Sequence, residues 1–444
     1  MNTALALKEE ISGTVVLPGD EAYAELRKSF VHTGSPAAVI QCHNTEDVRS
    51  ALRFAQAEGL EIAVRSSGHN GAGFSTVDGG VVIDVSPLDS VDVVDPERRL
   101  VRLGTGASWA RVGAELNKHG LAISSGDTTS VAVGGLLLGG GFGWMVRKYG
   151  LALDSVVAVE LVTAEGEVLR ASEQENADLF WALRGGGGNF GIATSFEVVA
   201  QPVSNVFFGT IAYPASEAAQ VLQGWGAYMR TAPEELTSSA ALFPSFGEEA
   251  PPVTLLVCFA GDDQEAADKA LAPLLELGTL LAKDVKLMPY PEVLEDASDL
   301  PPEWQPMTRN RLARECGPEL VDAIANSPHR LGSMFVEIRA VGGALGRVAA
   351  DATAFGHRDV HFMINTANLG SRAETLATQA DHTAFWAGIE PHVSGAYGNF
   401  LSEVAEDAGD RAAAYPAATY ARLAQVKAVY DPKNVFRRNI NVKP

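Results

Sequence analysis

Residues 65–75 read Arg65-Ser66-Ser67-Gly68-His69-Asn70-Gly71-Ala72-Gly73-Phe74-Ser75, and the interpretation of the whole chain starts from this loop. The apolar segment Glu61–Val64 that precedes it is typical of a β-strand. Small residues after a strand let the backbone approach a ligand closely, and free N–H groups with serine hydroxyls suit a phosphate. Arg65 adds a positive charge with bidentate donors, and His69 lies at the centre of the loop among small neighbours. The loop is therefore predicted to hold an anionic ligand close to one imidazole.

The composition is that of a soluble globular protein with an acidic surface. The 444 residues are long enough for two domains, and 46% of them are hydrophobic while 20% are charged. The formal net charge of −21 argues against nucleic acid and anionic membranes as partners, because both repel an acidic protein. The 44 glycines cluster and do not repeat, which excludes a collagen-like or low-complexity chain.

Cysteines, histidines and apolar runs predict neither a metal site nor a membrane anchor. Cys42, Cys258 and Cys316 are far apart, so neither a zinc site nor a disulfide framework is indicated. His357 and His361 lie four residues apart without an acidic cluster, so we interpret them as surface or sheet-face histidines and predict no metal. Residues 1–18 contain no apolar run of signal-peptide length, and no stretch reaches the ~20 apolar residues of a membrane span. A cytoplasmic location follows as the expectation.

A second glycine-rich segment occupies residues 125–144, with six glycines between positions 134 and 143. That density predicts neither a regular helix nor a strand, so the backbone is expected to serve through its N–H groups and its thinness. A dinucleotide-binding Gly-x-Gly-x-x-Gly pattern is not cleanly present, and no strand leads directly into the segment. A glycine-rich turn with a purely structural role remains the alternative interpretation.

Two further segments carry recognisable patterns. Residues 184–193 read Arg-Gly-Gly-Gly-Gly-Asn-Phe-Gly-Ile-Ala between a predicted helix and a predicted strand, and a tight turn is the plain interpretation. Residues 396–400 read Ala-Tyr-Gly-Asn-Phe, and residues 427–436 read Lys-Ala-Val-Tyr-Asp-Pro-Lys-Asn-Val-Phe.

Together these segments resemble the berberine bridge enzyme-like family, which comprises FAD oxidoreductases of the vanillyl-alcohol oxidase/PCMH type. Residues 65–69 resemble its Arg-(Ser/Gly)-(Ser/Gly)-Gly-His flavin loop, and residues 185–192 resemble its Gly-Gly-Gly-Asn-Phe-Gly-Ile run. Residues 397–400 are similar to its Tyr-x-Asn-(Tyr/Phe) motif, and the tail resembles its closing Lys-x-x-(Tyr/Phe)-Asp-Pro-x-Asn-x-Phe. The resemblance covers about 40–200 and 396–444, whereas 203–395 follow only by position and general pattern.

The resemblance implies FAD bound covalently through His69 at the 8α-methyl. Many relatives carry a cysteine that makes a second link to flavin C6, and this chain has Thr128 there, which implies a single bond. Val133 falls where relatives vary between small and bulky residues, and it favours oxygen as the electron acceptor. The implied cofactor contacts are Arg65, Ser66, Ser67, Gly68, His69, Asn70, Ser75, Gly126, Asp127, Thr128, Thr129, Val131, Val133, Gly134, Gly135, Gly139, Gly140, Gly141, Gly143, Gly191, Ile192, Asn399, Asn439 and Asn441.

An α+β fold with two domains is the architectural expectation. The resemblance implies a PCMH-type, two-subdomain FAD-binding domain formed by 1–202 and 396–444. Between them, residues 203–395 alternate strand-like and Ala-rich helical segments, which predicts an antiparallel sheet covered by helices and a substrate-binding role. Proline-rich stretches at 244–252 and 287–306 are predicted to be surface loops.

The resulting functional expectation is an oxidase that moves a hydride from an alcohol, sugar or secondary metabolite to flavin N5 and then reduces O2. Tyr397 is the catalytic base that the resemblance implies, with packing beside the flavin as the alternative and Glu337 as a competing base. Two other functions stay open: an oxidative cyclisation in a bacterial biosynthetic pathway, and a flavin-bearing binding protein with little turnover. The expected partners are a small-molecule substrate and molecular oxygen, in a monomer or homodimer.

Overall fold

Three β-sheets organise the chain in the computed structural model, which describes residues 7–245, 249–296, 301, 304–402 and 408–444. Helices pack against the sheets, so the predicted α+β class is confirmed. The helices are α1 (Tyr23–Leu26), α2 (Thr45–Ala57), α3 (Trp109–Asn117), α4 (Val133–Gly139), α5 (Val146–Tyr149), α6 (Ala177–Leu183), α7 (Ala218–Met229), α8 (Gln264–Leu271), α9 (Pro318–Ala325), α10 (Arg372–Ala377), α11 (Gln379–Ile389), α12 (Ala408–Ala414) and α13 (Ala417–Tyr430).

The first sheet places the loop that begins at residue 66. In spatial order its strands are β1 (Thr14–Val16), β2 (Ala38–Gln41), β4 (Val81–Asp84) and β3 (Ile62–Arg65). Strand β4 lies between β2 and β3 and is parallel to both, which is why its four residues are all apolar or paired and all buried. Because β3 ends at Arg65, the loop leaves the sheet at the edge where parallel strands present their carboxyl ends.

The second sheet is antiparallel throughout and supports the two other glycine-rich segments. In spatial order its strands are β5 (Val91–Asp95), β6 (Leu100–Gly104), β9 (Ile192–Val199), β7 (Val156–Val162) and β8 (Val168–Ser172). Central strand β9 begins directly after the glycine turn at 185–191, and helix α4 packs on β6 and β9. The core between them includes Leu103, Leu137 and Phe196.

The third sheet has seven antiparallel strands and lies between residues 205 and 368. In spatial order its strands are β13 (Ala282–Pro289), β10 (Asn205–Tyr213), β12 (Val253–Phe259), β11 (Leu236–Leu242), β15 (Met334–Ala340), β16 (Phe362–Asn368) and β14 (Met307–Ala313). One face packs on helices α7, α8, α9 and α11 around Trp225 and Trp386, both fully buried. Strand alternation therefore turns Glu337, Arg339 and Asn365 to the opposite face.

Several local expectations were wrong. Residues 133–139 form helix α4 despite their glycines, because Gly134 and Gly139 lie where the helix packs closely against Thr105 and Asn399. Asn44, and not Thr45, caps α2: its extended backbone places the side-chain oxygen 2.9 Å from the amide nitrogen of Asp47. The Ala-rich stretch 346–354 predicts a helix, but the structure has a 3₁₀ turn, Gly343–Arg347, followed by irregular chain held by Trp181 of α6. The indole Nε1 of Trp181 donates to the carbonyl of Asp351, and the amide of Ala354 donates to the carbonyl of Trp181.

Other differences concern length and loops. The helix expected over 21–31 is reduced to Tyr23–Leu26. The surface loop expected over 287–306 instead begins as the end of β13 and continues through Tyr290, which is buried because it packs in a core cluster with Trp144. Positions 297–300 and 302–303 of that predicted loop, and 246–248 of the other, lie outside the described residues, as do 1–6 and 403–407.

Candidate functional site

The site is a cavity of about 430 Å³ where the glycine-rich segments meet the C-terminal segment. We call residues 66–75, 126–139 and 185–192 the glycine wall. The predicted site residues that line the cavity are Ser66, Ser67, Gly68, His69, Asn70, Ser75, Gly126, Asp127, Thr128, Val131, Gly134, Gly135, Gly139, Gly191, Ile192, Tyr397, Asn399 and Asn439. Segments more than 300 residues apart in sequence thus converge on one space, as the motifs indicated.

Seven described residues that were predicted as cofactor contacts are outside the cavity lining: Arg65, Thr129, Val133, Gly140, Gly141, Gly143 and Asn441. Thr129 uses its amide for the carbonyl of Glu295. Val133 is buried at the start of α4, where its amide bonds the carbonyl of Ala107, and its neighbour Ala132 lines the cavity instead. The sequence analysis favoured oxygen as the electron acceptor because of Val133. The position of Val133 outside the cavity lining does not support that argument.

Arg65 was expected to face an anionic ligand, but its guanidinium is hydrogen-bonded to other protein groups. Its Nη2 donates to Asp84 Oδ2 at 2.8 Å, and its Nη1 donates to the carbonyls of Leu26 and Lys28. Arg65 and Asp84 face each other in the parallel register of β3 and β4 and are 5% and 1% exposed. A buried arginine requires a carboxylate partner, so Arg65 joins the loop to the sheet.

His69 lies in the cavity wall with a defined ring environment. Its Nε2 is 3.0 Å from Ser130 Oγ, and its ring stacks on Phe30 with centroids 4.6 Å apart. Burial lowers the pKa of His69, so the imidazole is neutral at pH 7. Within the described part of the chain, the ring's hydrogen bond is this one at Nε2, which leaves the lone pair of Nδ1 accessible when the Nε2 carries the proton.

Glycines of helix α4 make the wall thin. A Cβ at Gly134 would be 2.2 Å from Thr105 Oγ1, and one at Gly139 would be 2.4 Å from Asn399 Nδ2. A Cβ at Gly135 would meet no atom within 4 Å, although Gly135 lines the cavity, so its missing side chain leaves room for a ligand. The glycines after the helix have another role, because Gly141 has φ 84° and ends α4 in a conformation that other residues avoid.

Tyr397 is 3% exposed and presents its hydroxyl to two donors. The hydroxyl oxygen accepts from the Gly141 amide and from Asn399 Nδ2, each at 3.0 Å. Burial raises the pKa of Tyr397 to about 12, although both donors act in the opposite direction by favouring the phenolate. The backbone of Tyr397 is held by Asn310, which accepts from its amide at 2.7 Å and donates to its carbonyl at 2.8 Å. The phenol is therefore rigidly placed.

A charged network on the third sheet reaches the cavity through Asp127. We call Asn310, Glu337, Arg339 and Asn365 the sheet face. Arg339 Nη2 donates to Asp127 Oδ2 at 2.6 Å and to Glu337 Oε1 at 3.0 Å, and Asn365 Nδ2 donates to Glu337 Oε2 at 3.1 Å. Arg339 and Asn365 carried no signal in the sequence, because their roles depend on pairings between strands.

The charged groups of this network shift one another's pKa values. Burial opposes ionisation of Asp127, but Arg339 outweighs that penalty and lowers the pKa of Asp127. Glu295 behaves in the opposite way, because burial and the charge of Asp127 raise its pKa. Desolvation opposes the charge on Arg339, and the two carboxylates nevertheless raise its pKa.

Of the two histidines predicted to be surface or sheet-face residues, His357 is buried and His361 is half-buried. His357 is 9% exposed and bonds the carbonyl of Ala414 through Nε2 at 3.1 Å. His382 is also buried, and its Nε2 lies 3.0 Å from Thr366 Oγ1. Within the described ranges, no group of three or more His, Cys, Asp or Glu side chains is arranged to hold a metal ion. Cys42, Cys258 and Cys316 are free and buried. None of the described helices has the length and hydropathy that crossing a membrane requires.

The residues present fit a flavin dinucleotide. Aromatic and aliphatic side chains that the sequence did not indicate, including Phe74, Phe142, Phe355 and Tyr415, supply apolar surface for a ring system. Two polar atoms without hydrogen-bond partners among the described residues, Arg438 Nε and Asn439 Oδ1, belong to side chains that also line the cavity. A long cavity wall with glycine backbone, apolar rings and a few unpaired polar atoms suits an aromatic cofactor with a polar tail.

Comparisons with known proteins agree with that fit. Residues 36–172 match the family described as FAD binding domain, and residues 396–443 match the family described as berberine and berberine like. The chain is 31% identical to (R)-6-hydroxynicotine oxidase of Paenarthrobacter nicotinovorans, with 100% of this chain and 99% of the relative covered.

Solved structures show the same fold. The crystal structure of 6-hydroxy-D-nicotine oxidase from Arthrobacter nicotinovorans matches with a TM-score of 0.86 at 29% identity, covering 98% of both chains. Glucooligosaccharide oxidase from Acremonium strictum, whose FAD is described as 6-S-cysteinyl, 8α-N1-histidyl, matches with a TM-score of 0.88 at 22% identity, covering 100% of this chain and 99% of the other. The predicted PCMH-type architecture is confirmed by these matches.

Proposed function

The chain belongs to the berberine bridge enzyme-like family of FAD-linked oxidases, and we propose that it oxidises a small molecule at a C–OH or C–NH group with its FAD attached through His69 alone. The observation that carries the proposal is the cavity whose wall contains both a neutral imidazole and a rigidly placed phenol. FAD supplies the hydride acceptor and O2 reoxidises it, so the protein has to hold the cofactor, orient the substrate and move a proton.

His69 is the proposed attachment point. A neutral imidazole has a nucleophilic ring nitrogen, and the contact between Nε2 and Ser130 favours Nδ1 as that nitrogen. Thr128 lies in the same cavity and donates its hydroxyl to Asp127 Oδ1 at 3.1 Å. A hydroxyl does not form a thioether, so the proposal excludes a second link at this position. The relative described as having a 6-S-cysteinyl, 8α-N1-histidyl FAD provides the chemical precedent for both types of bond.

Tyr397 is the proposed proton acceptor. Two N–H groups point at its oxygen, which stabilises the phenolate, and within the described residues its own proton has no acceptor. Once this hydroxyl has ionised, its oxygen can therefore take a proton from a group that enters the cavity. With a pKa of about 12, the phenolate is scarce at neutral pH, so turnover should increase with pH. Glu337 remains the competing base, with its carboxylate bonded by Arg339 and Asn365.

The proposal also assigns FAD binding and substrate selection to different domains. Residues 1–202 and 396–444 would bind FAD, and residues 203–395 would select the substrate through the sheet face. The polar sheet face meets the cavity beside Asp127, which supports this assignment. The substrates of the relatives, a hydroxynicotine and oligosaccharides by their names, place both amines and alcohols among the candidates.

One experiment separates the parts of the proposal. The purified protein is precipitated with acid, and the washed pellet and the supernatant are examined for flavin fluorescence. Hydrogen peroxide production is then measured with panels of amines, alcohols and oligosaccharides. Flavin in the pellet and peroxide with one panel are the expected results. Flavin in the supernatant alone contradicts the covalent bond, and flavin without turnover of any compound contradicts the oxidase.

A further inference from the structure

The cavity wall has two charged side chains, and only one of them is balanced by the protein. Among the described lining residues, Asp127 and Arg438 are the only Asp, Glu, Lys or Arg. Asp127 is neutralised by Arg339 at 2.6 Å. Arg438 approaches one carboxylate, that of Glu61, at 3.8 Å, and Glu61 is shared with Arg437 at 3.3 Å. Two arginines therefore share one negative charge, which leaves an excess positive charge at this part of the wall.

The guanidinium of Arg438 is held in place but incompletely bonded. Its Nη2 donates to the carbonyl of Gly73 at 3.1 Å, which fixes it against the loop that carries His69. Its Nε is buried and has no hydrogen-bond partner among the residues that the structure describes. A buried donor without an acceptor is costly, so the protein groups described do not use the full bonding capacity of this guanidinium.

Arg65 provides the contrast that makes this assignment specific. Arg65 begins the loop, but its guanidinium is occupied by Asp84 and two carbonyls and lies outside the cavity lining. Arg438 comes from the C-terminal segment, lines the cavity and retains a free donor. The positive charge expected from the sequence at the start of the loop is thus supplied by a residue 373 positions later.

We propose that Arg438 binds the diphosphate of FAD. Arginine pairs with phosphate oxygens through its planar set of donors, and Nε belongs to that set. A cation is needed there because the chain as a whole carries a charge of −21 and repels a dianionic diphosphate. The inference rests on the proposed function only in that FAD is the ligand, and it requires neither turnover nor a covalent bond.

The test measures flavin affinity with and without the diphosphate. Full-length His69→Ala, in which flavin can exchange, serves as the parent, and FAD and riboflavin are titrated by fluorescence at low and high salt. Arg438→Gln should weaken FAD by about tenfold, leave riboflavin within twofold and reduce the salt dependence of FAD binding. Arg437→Gln is the matched control, because Arg437 also pairs with Glu61 but is 54% exposed and outside the lining. It should change either affinity by less than about twofold.

Three outcomes would overturn the assignment: FAD affinity unchanged in Arg438→Gln, riboflavin weakened as much as FAD, or an equal loss of FAD affinity in Arg437→Gln. Arg438→Lys, which keeps the charge, should recover part of the affinity. If the parent binds neither flavin, both this inference and the proposed function fail, whereas FAD binding without oxidation removes only the proposed function.

A second measurement applies if His69→Ala does not fold. The fraction of chains that carry flavin after expression is then compared between Arg438→Gln and Arg437→Gln in the otherwise unchanged protein. A fraction reduced at least twofold in Arg438→Gln alone supports the assignment, and equal fractions overturn it.

Discussion

The glycine wall and the sheet face meet at the contact between Asp127 and Arg339 and are built from different chemistry. The glycine wall works through backbone: Gly134 and Gly139 allow close packing, and Gly135 leaves space for a ligand. The sheet face works through side chains, with Arg339 joining Glu337 to Asp127. Backbone geometry suits a cofactor that stays the same, whereas side chains are easily exchanged to suit another substrate. If the sheet face selects the substrate, as proposed above, its side chains can change without altering the wall that would hold FAD.

The largest effect is expected from a substitution in the glycine wall. His69→Ala should abolish covalent flavin, because no other imidazole is in the described lining of the cavity. Flavin fluorescence of the acid-washed pellet measures the loss. Thr128→Ala is the control, since its hydroxyl forms no thioether, and its pellet should stay as fluorescent as that of the unchanged protein. A fluorescent His69→Ala pellet would assign the bond to another residue.

Tyr397→Phe should separate turnover from cofactor binding. Removing the proton acceptor should lower kcat by about 10²–10⁴-fold and leave the flavin content of the pellet unchanged. In the unchanged enzyme, kcat should increase about tenfold per pH unit below a pKa of about 12, because the phenolate fraction increases in that way. Stopped-flow flavin reduction across pH 7–10 checks both expectations. A Tyr397→Phe enzyme that retains this pH dependence points to Glu337 instead.

Arg339→Met breaks the sheet face and should cost about 3–5 kcal/mol of unfolding free energy, because the buried carboxylate of Glu337 and the half-buried carboxylate of Asp127 lose their cation. Arg339 holds the folded-state pKa of Asp127 below its unfolded value, so this stabilisation is present at neutral pH and is lost as the pH falls below about 4. The deficit of Arg339→Met should therefore be larger at pH 7 than at pH 3.

Denaturant unfolding at both pH values measures that deficit. Arg314→Met is the control, because Arg314 pairs with Asp359 on the surface, where both side chains are more than 60% exposed. The control should change stability by less than about 1 kcal/mol. An Arg339→Met deficit that does not depend on pH would mean that packing, and not charge, explains its cost.

The smallest effects are expected from two glycine substitutions in helix α4, which is part of the glycine wall. Gly134→Ala places a Cβ against Thr105 and should cost about 1–3 kcal/mol, less the gain in helix propensity. Gly135→Ala places its Cβ in open space, so it should keep or slightly increase the Tm while lowering flavin occupancy. Thermal unfolding and absorbance per chain distinguish the two. Equal Tm changes would show that both glycines serve the fold in the same way.

The segments that carry motifs could be predicted to belong to the site, because a short stretch of glycines and polar residues by itself indicates that the backbone comes close to a ligand. The His69 loop, the 185–192 turn and Tyr397 are examples, and all three contribute to the cavity lining. Helix α4 was not predicted because helix propensity counts against its three glycines, whereas its packing on Thr105 and Asn399 requires small residues. Strands β11 and β14 were not predicted, because their polar residues, such as Ser238 and Asn310, find their hydrogen-bond partners only in the tertiary structure.

The sequence by itself determined that this chain has a flavin-type loop centred on His69, three more segments of the same family and an α+β fold, because each depends on local residue order. Only the tertiary structure decided which charges serve the site. Arg65 pairs with Asp84 through strand register, Asp127 pairs with Arg339 from 212 positions away, and Arg438 is left with an unpaired donor in the cavity wall. A charge acts on whatever lies within a few ångströms, and that neighbourhood is set by packing between distant segments and not by the order of residues.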